Sequence, residues 1–174
     1  TLTFNYTIAA GENSADLDYA ANNSLSAGTY IRALAGNTAT LTLPNPAASG
    51  SLGSNENLVI DTTAPTLSGD KVDATTDDTY YIGDVVDIWV LFSEVVYVTG
   101  TPTLTLETGG TDAVVDYTSG SGNADRKLHF SYTVAAPHTS ADLDYHSTTA
   151  LTGTIKDLAG NDATLTLSNP TAAG

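Results

Sequence analysis

The side chains best suited to chemistry in this sequence are carboxylates and an amide that stand beside its turn signals. Asp61 opens the segment Asp-Thr-Thr-Ala-Pro, Glu94 follows an apolar stretch, and Asp157 and Asn161 enclose Leu-Ala-Gly. Oxygen atoms of this kind are the ligands of Ca²⁺, which takes about six to eight of them in irregular geometry. The chemistry that these residues predict is the binding of a divalent cation.

The balance of charge narrows the classes of partner. The 174 residues contain 20 Asp and Glu against 5 Lys and Arg, a formal net charge of −15. Nucleic acid and anionic membrane surfaces repel such a protein, whereas cations and neutral glycans do not. The sequence has no Cys, which excludes disulfides, thiolate metal sites and cysteine nucleophiles. No apolar run approaches the roughly 18 residues of a membrane span, so membrane insertion is not expected.

Two parts of the sequence occur twice, which indicates a tandem repeat. Residues 1–19 match 127–145 at 12 of 19 positions, and residues 34–50 match 158–174 at 13 of 17. The offsets are 126 and 124 residues, so one period is about 124 residues and the chain holds about 1.4 periods. Agreement at this level is typical of repeat arrays.

The repeat also predicts the domain boundaries. Residues 1–60 are expected to form the C-terminal part of one repeat, and residues 61–174 a second repeat that lacks its last strand, because 51–61 has no second copy. Segment 61–65, stiffened by its final Pro, is the expected junction. A partial sandwich leaves edges and core open. The missing strands are therefore expected either from flanking sequence or, by strand addition, from neighbouring chains of a filament.

The pattern of apolar residues is that of an all-β protein. Thr is frequent, apolar residues alternate with period two over short stretches, and no stretch has helical periodicity. Many short strands at this spacing predict immunoglobulin-like β-sandwich repeats in tandem. The predicted strands lie near 2–9, 17–20, 29–33, 39–43 and 57–61, and then near 66–72, 84–93, 95–99, 103–107, 113–118, 127–135, 143–146, 152–156 and 163–167.

A motif present in both copies, Ser-Ala-Asp-Leu-Asp-Tyr at 14–19 and 140–145, predicts a structural corner. An Asp three residues before a Tyr, at a crossover between sheets, resembles the tyrosine corner of immunoglobulin-like sandwiches. We therefore expect Asp16 with Tyr19, and Asp142 with Tyr145, to fix a chain crossing.

Further segments carry a family resemblance. They are Asp-Thr-Thr-Ala-Pro at 61–65, Gly-Asp at 83–84, Phe-Ser-Glu at 92–94, Gly-Thr-Pro-Thr-Leu-Thr-Leu-Glu-Thr-Gly at 100–109, Tyr-Thr-Ser-Gly-Ser-Gly at 117–122 and Asp-Leu-Ala-Gly-Asn at 157–161. Together they resemble bacterial Ig-like (cadherin-like) tandem repeats of large extracellular adhesins and surface proteins. The resemblance covers essentially the whole chain. It implies an Ig-like sandwich, an extracellular or cell-surface location and, often, dependence on calcium.

Immunoglobulin topology would bring the candidate ligands together at one end of the domain. The first strand starts after Asp61, the second ends near Glu94, and a later strand ends at Asp157 and Asn161. These four groups should therefore converge, although they are scattered in sequence. A bound Ca²⁺ would remove the repulsion between their carboxylates.

The preceding domain should contribute to the same junction. Its loop carrying Glu12 and Asp16 is expected to face the Asp157 end of the next repeat. In the first copy Ala33 stands where the second has Asp157, so a site at the equivalent end of the first domain should be weak or absent. The alternative for all of these acids is that they are solvated loop residues that keep the protein soluble.

The strand predicted over 84–93 has apolar residues on both faces. Val86, Ile88, Val90 and Phe92 should point into the core. The other face carries Val85, Trp89 and Leu91, where a solvent-facing strand normally has polar residues, and Val95 and Tyr97 could extend it. This face is expected either to form a protein–protein interface or to be covered within the molecule.

The remaining signals favour a structural module over an enzyme. The three His residues, 129, 138 and 146, replace Thr3, Glu12 and Ala20 of the first copy, so the repeat does not depend on imidazole. No catalytic or nucleotide-binding motif is present. The expected function is a structural repeat of an extracellular adhesin, surface fibre or filament, rigidified by Ca²⁺. The alternative is a carbohydrate- or surface-binding module that uses Tyr80, Tyr81 and Tyr117.

Overall fold

The computed structural model describes residues 2–26 and 30–171, apart from the side chains of Asp70 and Lys71. The chain forms two compact units, Thr1–Thr63 and Ala64–Gly174. The division falls inside segment 61–65, where the sequence predicts a junction. Each unit is described by itself below.

The second unit is a single antiparallel sheet that curls around an apolar core. Its strand order is β1-β2-β5-β4-β3-β6, and β7 also pairs with β3. The strands are β1 (Leu67–Ala74), β2 (Val85–Phe92), β3 (Tyr97–Glu107), β4 (Ala113–Ser119), β5 (Lys127–Thr133), β6 (Asp144–Tyr145) and β7 (Leu151–Lys156). The all-β prediction is therefore confirmed for this unit at the level of strands and their antiparallel pairing.

The alternation in β2 produces one face of the core. Val86, Ile88, Val90 and Phe92 are all buried, as predicted. Phe130 of β5, directly opposite Ile88, is fully buried as well. Successive side chains thus point alternately inward and outward along these strands, and the inward side chains fill the space enclosed by the curled sheet.

Three of the predicted strands in this unit differ from the structure. The strands expected at 95–99 and 103–107 are one continuous strand, β3, because Gly100-Thr-Pro102 makes an irregularity instead of a turn: the register with β7 shifts between Thr99 and Thr103. Residues 163–167 form no strand. The N–H groups of this segment donate to different parts of the chain. That of Ala163 donates to the Ile155 carbonyl at 2.9 Å, and that of Leu167 donates to the Thr148 carbonyl at 2.9 Å.

The first unit has far less regular structure than predicted. Its described residues form no strand at the five predicted positions, only isolated bridges between Ser14 and Ile60 and between Arg32 and Thr38. Thr29, at the start of one predicted strand, lies outside the described residues. A short helix, α1 (Leu52–Asn55), contradicts the expectation of no helix; the Ser51 hydroxyl caps it by accepting the Ser54 N–H at 3.1 Å.

The two units nevertheless make the same hydrogen bonds at equivalent positions of the repeat. Several backbone bonds in the first unit have partners displaced by 126 or 124 residues in the second. The backbone pairs are Ala33 N–H to Asn37 O and Asp157 N–H to Asn161 O; Ala39 N–H to Ile31 O and Ala163 N–H to Ile155 O; and Leu43 N–H to Asn22 O and Leu167 N–H to Thr148 O. The sequence repeat is therefore also a structural repeat.

Packing is what distinguishes the two copies. Phe4 and Phe130 are equivalent, yet Phe4 is 75% exposed and Phe130 0%. Phe130 pairs with Ile88 of β2 and with Tyr117 of β4. The first unit, among its described residues, has no strands equivalent to β2 and β4, so its apolar side chains lack the surfaces that bury them in the second.

The repeated corner motif uses a different Asp from the one predicted. The Tyr19 hydroxyl donates to the Pro44 carbonyl at 2.8 Å, and the Tyr145 hydroxyl to that of Ser168 at 3.0 Å. The carboxylates that support these crossings belong to Asp18, which accepts the Ala47 N–H, and to Asp144, which accepts the Thr171 N–H. The predicted partners, Asp16 and Asp142, do not accept these hydrogen bonds. The acceptors lie 25 and 23 residues downstream, so each tyrosine closes a long loop.

Replacing Tyr145 with Phe tests this crossing. The substitution removes one hydroxyl and leaves the Ser168 carbonyl without its donor, so Y145F should lower the free energy of unfolding by about 1 kcal/mol. Unfolding in urea followed by fluorescence of the single Trp, which lies in the second unit, measures the change. Unchanged stability in Y145F would show that the hydroxyl does not hold the crossing.

Candidate functional site

Three of the predicted metal ligands, Glu94, Asp157 and Asn161, meet in the second unit. Glu94 lies two residues after the end of β2, and Asp157 directly follows β7. Their carboxylate oxygens lie within 4.8 Å of each other. Asp157 is buried and Glu94 is half-buried. The strand order brings together two acids that are 63 positions apart in sequence (157 − 94).

A turn that wraps the carboxylate holds Asp157 in place. The Asn161 N–H donates to its Oδ1 at 2.8 Å, and Asn161 Nδ2 donates to its Oδ2 at 2.7 Å. Burial by itself raises the pKa of Asp157, but these bonds, with contributions from the Gly160 and Ala159 N–H groups, outweigh it and hold the pKa below its usual value. Asp157 is therefore an ionised, buried carboxylate at neutral pH.

The other predicted ligands have local roles. Asp61, in the first unit, accepts the Thr63 N–H at 2.9 Å. Glu12 accepts the Ala9 N–H at 2.6 Å and the Tyr6 hydroxyl at 2.7 Å, and these two bonds lower its pKa. Asp16 accepts the Leu58 N–H at 3.3 Å. Their participation in a metal site stays a prediction.

The second unit also has a cluster that the sequence did not predict. His146 Nδ1 lies 3.2 Å from a Glu107 oxygen and 3.0 Å from an Asp112 oxygen. The short connection between β3 and β4 places the two acids side by side, and pairing of β6 with β3 brings in the histidine. The turn Glu-Thr-Gly-Gly-Thr-Asp at 107–112 was the available signal for the acids. The register of β6, which adds His146, has no such signal.

The apolar outer face of β2 is partly covered within the unit. Val85 is exposed, whereas Trp89 and Leu91 are half-buried. The Lys127 ammonium lies 3.7 Å from the centroid of the Trp89 ring, a cation–π contact across to β5. Tyr97 is exposed but lies on β3, which β5 and β4 separate from β2 in the sheet, so it does not extend this face laterally. Whether the face contacts a partner stays a prediction.

The tyrosines proposed for sugar binding are mostly engaged in structure. The Tyr80 hydroxyl lies 2.6 Å from the Thr76 hydroxyl. Tyr117 packs edge-on against Phe130, and its hydroxyl accepts the Ser121 N–H at 2.8 Å. Tyr81 is largely exposed.

In the part of the chain that the structure describes, no helix has the length and apolar character needed to cross a membrane. A comparison with known protein families, curated proteins and solved structures gave no match.

Proposed function

We propose that this chain is a structural module of a tandem-repeat protein: an extracellular adhesin, surface fibre or filament. The observation that supports this most strongly is the set of equivalent hydrogen bonds in the two units, displaced by one period. Because individual hydrogen bonds of the fold recur in both units, a structural role for the repeat is favoured over a role that depends on one specialised site. The high negative charge suits a protein that must stay soluble when repeated many times.

The proposal includes an immunoglobulin-like sandwich for each complete repeat. In the second unit β1, β2 and β5 would form one layer, and β3, β6 and β7 the other, with β4 paired to both. The buried residues of β2, β5 and β3 fill the space between these layers. Electron microscopy of a polypeptide with several tandem periods tests the function: rods whose length grows in proportion to the number of periods support it, and shapeless or unconnected particles contradict it.

A calcium ion bound by Glu94 and Asp157 is the second element of the proposal. Two carboxylates with oxygens within 4.8 Å repel each other, and a cation bound by both would remove that repulsion. The hydrogen bonds that keep Asp157 ionised disfavour its protonation. A hard divalent cation that accepts irregular oxygen ligands is the cation that such a pair favours.

Removal of calcium should destabilise the second unit. With Ca²⁺ at about 100 times its dissociation constant, binding would add about 2.7 kcal/mol to the free energy of unfolding, and EDTA should abolish this gain. D157A should make the melting temperature indifferent to Ca²⁺. Thermal melting with Ca²⁺ and with EDTA, for both proteins, measures the difference.

A matched control separates site binding from general screening of charge. Asp116 is an exposed carboxylate on β4, and D116A should keep the full response to Ca²⁺. Equal responses of D116A and D157A, or no response in the unaltered chain, would contradict the calcium site.

A further inference from the structure

The cluster of Glu107, Asp112 and His146 differs in its ligand chemistry from the pair Glu94 and Asp157. Its donor atoms are one imidazole nitrogen and two carboxylate oxygens, whereas the pair offers oxygen alone. Imidazole is a ligand of Zn²⁺ and of other transition-metal ions, and Ca²⁺ takes oxygen ligands. The cluster therefore belongs to a different class of site from the calcium site proposed above.

The three donor atoms are spaced as the ligands of a small metal ion are. His146 Nδ1 lies 3.2 Å from Glu107 Oε2 and 3.0 Å from Asp112 Oδ2, and the two oxygens lie within 4.8 Å of each other. In a tetrahedral zinc site, bonds of about 2.0–2.2 Å place neighbouring ligand atoms roughly 3.4 Å apart. Both nitrogen–oxygen distances are within about 0.4 Å of that spacing, so small side-chain rotations suffice to accept the ion.

The turn between β3 and β4 fixes the two acids. Glu107 Oε1 accepts the Gly109 N–H at 3.2 Å, which orients the carboxylate and leaves Oε2 toward the histidine. The buried Thr108 hydroxyl donates to the Thr111 carbonyl at 2.7 Å and closes the turn directly before Asp112. Ligands that are already oriented by hydrogen bonds bind a metal ion more tightly than free ones.

The sheet fixes the histidine. Tyr145 pairs with Leu106, and the His146 N–H donates to the Thr105 carbonyl at 2.9 Å, which holds this residue beside the end of β3. The side chains of the three ligands are between 23% and 48% exposed. Solvent therefore reaches the cluster, which gives an ion a path of entry and leaves room for a water molecule as a further ligand.

The charge of the cluster favours a divalent cation. Two carboxylates, at −1 each, and a neutral imidazole sum to −2, which one Zn²⁺ cancels. A proton on the imidazole reduces this charge only to −1. The net charge of −15 on the whole chain also attracts cations to its surface.

We propose that Glu107, Asp112 and His146 form a zinc site, in which His146 Nδ1 and one oxygen of each carboxylate bind the ion and water completes the coordination. The ion joins the β3–β4 turn to β6, a strand of only two residues. In the first copy Ala20 stands at the position of His146, so the site belongs to this repeat and not to the period. It is independent of the calcium site and of the structural-repeat function.

Titration of the full chain with ZnCl₂ tests the proposal. In isothermal titration calorimetry with Ca²⁺ present throughout, we expect one zinc ion per chain to bind saturably. At about 100 times the dissociation constant, zinc should raise the melting temperature of the second unit by at least about 4 °C. The absence of saturable zinc binding would overturn the proposal.

Substitution of the histidines locates the site. H146A should weaken zinc binding at least about tenfold, since loss of even an outer-shell partner of a metal ligand costs about 10–100-fold. H129A is the matched control: His129 pairs with a single acid, Asp87, at 3.1 Å, and its removal should leave the affinity unchanged. No loss in H146A, or the same loss in H129A, would overturn the assignment.

A second variant keeps the test decisive if H146A fails to fold. E107Q preserves the size of the side chain and an oxygen that can accept the Gly109 N–H, but it removes the charge. It should weaken zinc binding about as much as H146A. An E107Q chain that is folded and binds zinc as tightly as the unaltered chain would contradict the site.

Nitrogen-15 NMR of the imidazole rings identifies the atom that binds. Zinc should shift the Nδ1 resonance of His146 and leave those of His129 and His138 in place. D157A, which removes the proposed calcium site, should keep the full zinc affinity, and H146A should keep the response of the melting temperature to Ca²⁺. Zinc binding that is lost in D157A, or a shift confined to another histidine, would overturn the proposal.

Discussion

Replacing Phe130 with alanine should destabilise the second unit by about 3–5 kcal/mol, the usual cost of deleting a fully buried phenylalanine. Phe130 is 0% exposed and lies between β2 and β4, opposite Ile88 and against the Tyr117 ring at a centroid distance of 6.2 Å. Its removal leaves a cavity bounded by rigid strands on both sides, which can collapse only partly. A loss of this size would approach the whole stability of a small domain.

The repeat supplies the matched control for this change. Phe4 occupies the equivalent position in the first unit and is 75% exposed, so F4A should change stability by less than about 0.5 kcal/mol. Urea unfolding followed by Trp89 fluorescence reports on the second unit, and circular dichroism melting reports on the whole chain. A small effect of F130A, or comparable effects of both substitutions, would contradict the packing described here.

The same pair of residues explains why the sequence predicted the second unit well and the first poorly. The pattern Leu-x-Phe-x-Tyr is identical at 2–6 and 128–132, and it forms a strand only in the second copy. Period-two alternation indicates which residues would face a core, and strand formation then depends on neighbouring strands that supply hydrogen bonds and apolar contact. β2 and β4 provide both for Phe130, and nothing equivalent is present in the described part of the first unit.

The candidate metal site was predictable to the extent that strand ends are predictable. Glu94 follows the apolar strand β2, and Asp157 follows β7 at the start of the turn Asp-Leu-Ala-Gly-Asn, so placing both at one end of the domain required only the directions of these two strands. His146 illustrates the limit. It joins Glu107 and Asp112 through a two-residue strand, β6, whose register against β3 is set by tertiary packing and has no local sequence pattern.

Segment 100–102, which the sequence places between two strands, lies inside one strand for a related reason. Gly-Thr-Pro is a strong turn signal, because glycine adopts positive φ and proline cannot donate to a ladder. In β3 the glycine and the proline instead produce a shift of register within the strand. Gly100 has a φ of 76°, and the pairing with β7 resumes at Thr103. Pro102 is fully buried in this irregularity. The chain accommodates the proline because β7 contributes a glycine, Gly153, directly opposite.

Substitution of Gly153 should therefore strongly lower the free energy of unfolding. A Cβ built on Gly153 would lie 2.7 Å from both Cα and Cβ of Pro102, and its φ of 127° is strained for any side chain. Overpacking and the positive φ together should cost G153A about 2–4 kcal/mol. Gly160 also has positive φ but meets nothing within 4 Å, so G160A should cost about 1–2 kcal/mol. Trp89 fluorescence in urea compares the two, and a G153A protein no less stable than G160A would show that β7 does not approach Pro102 this closely.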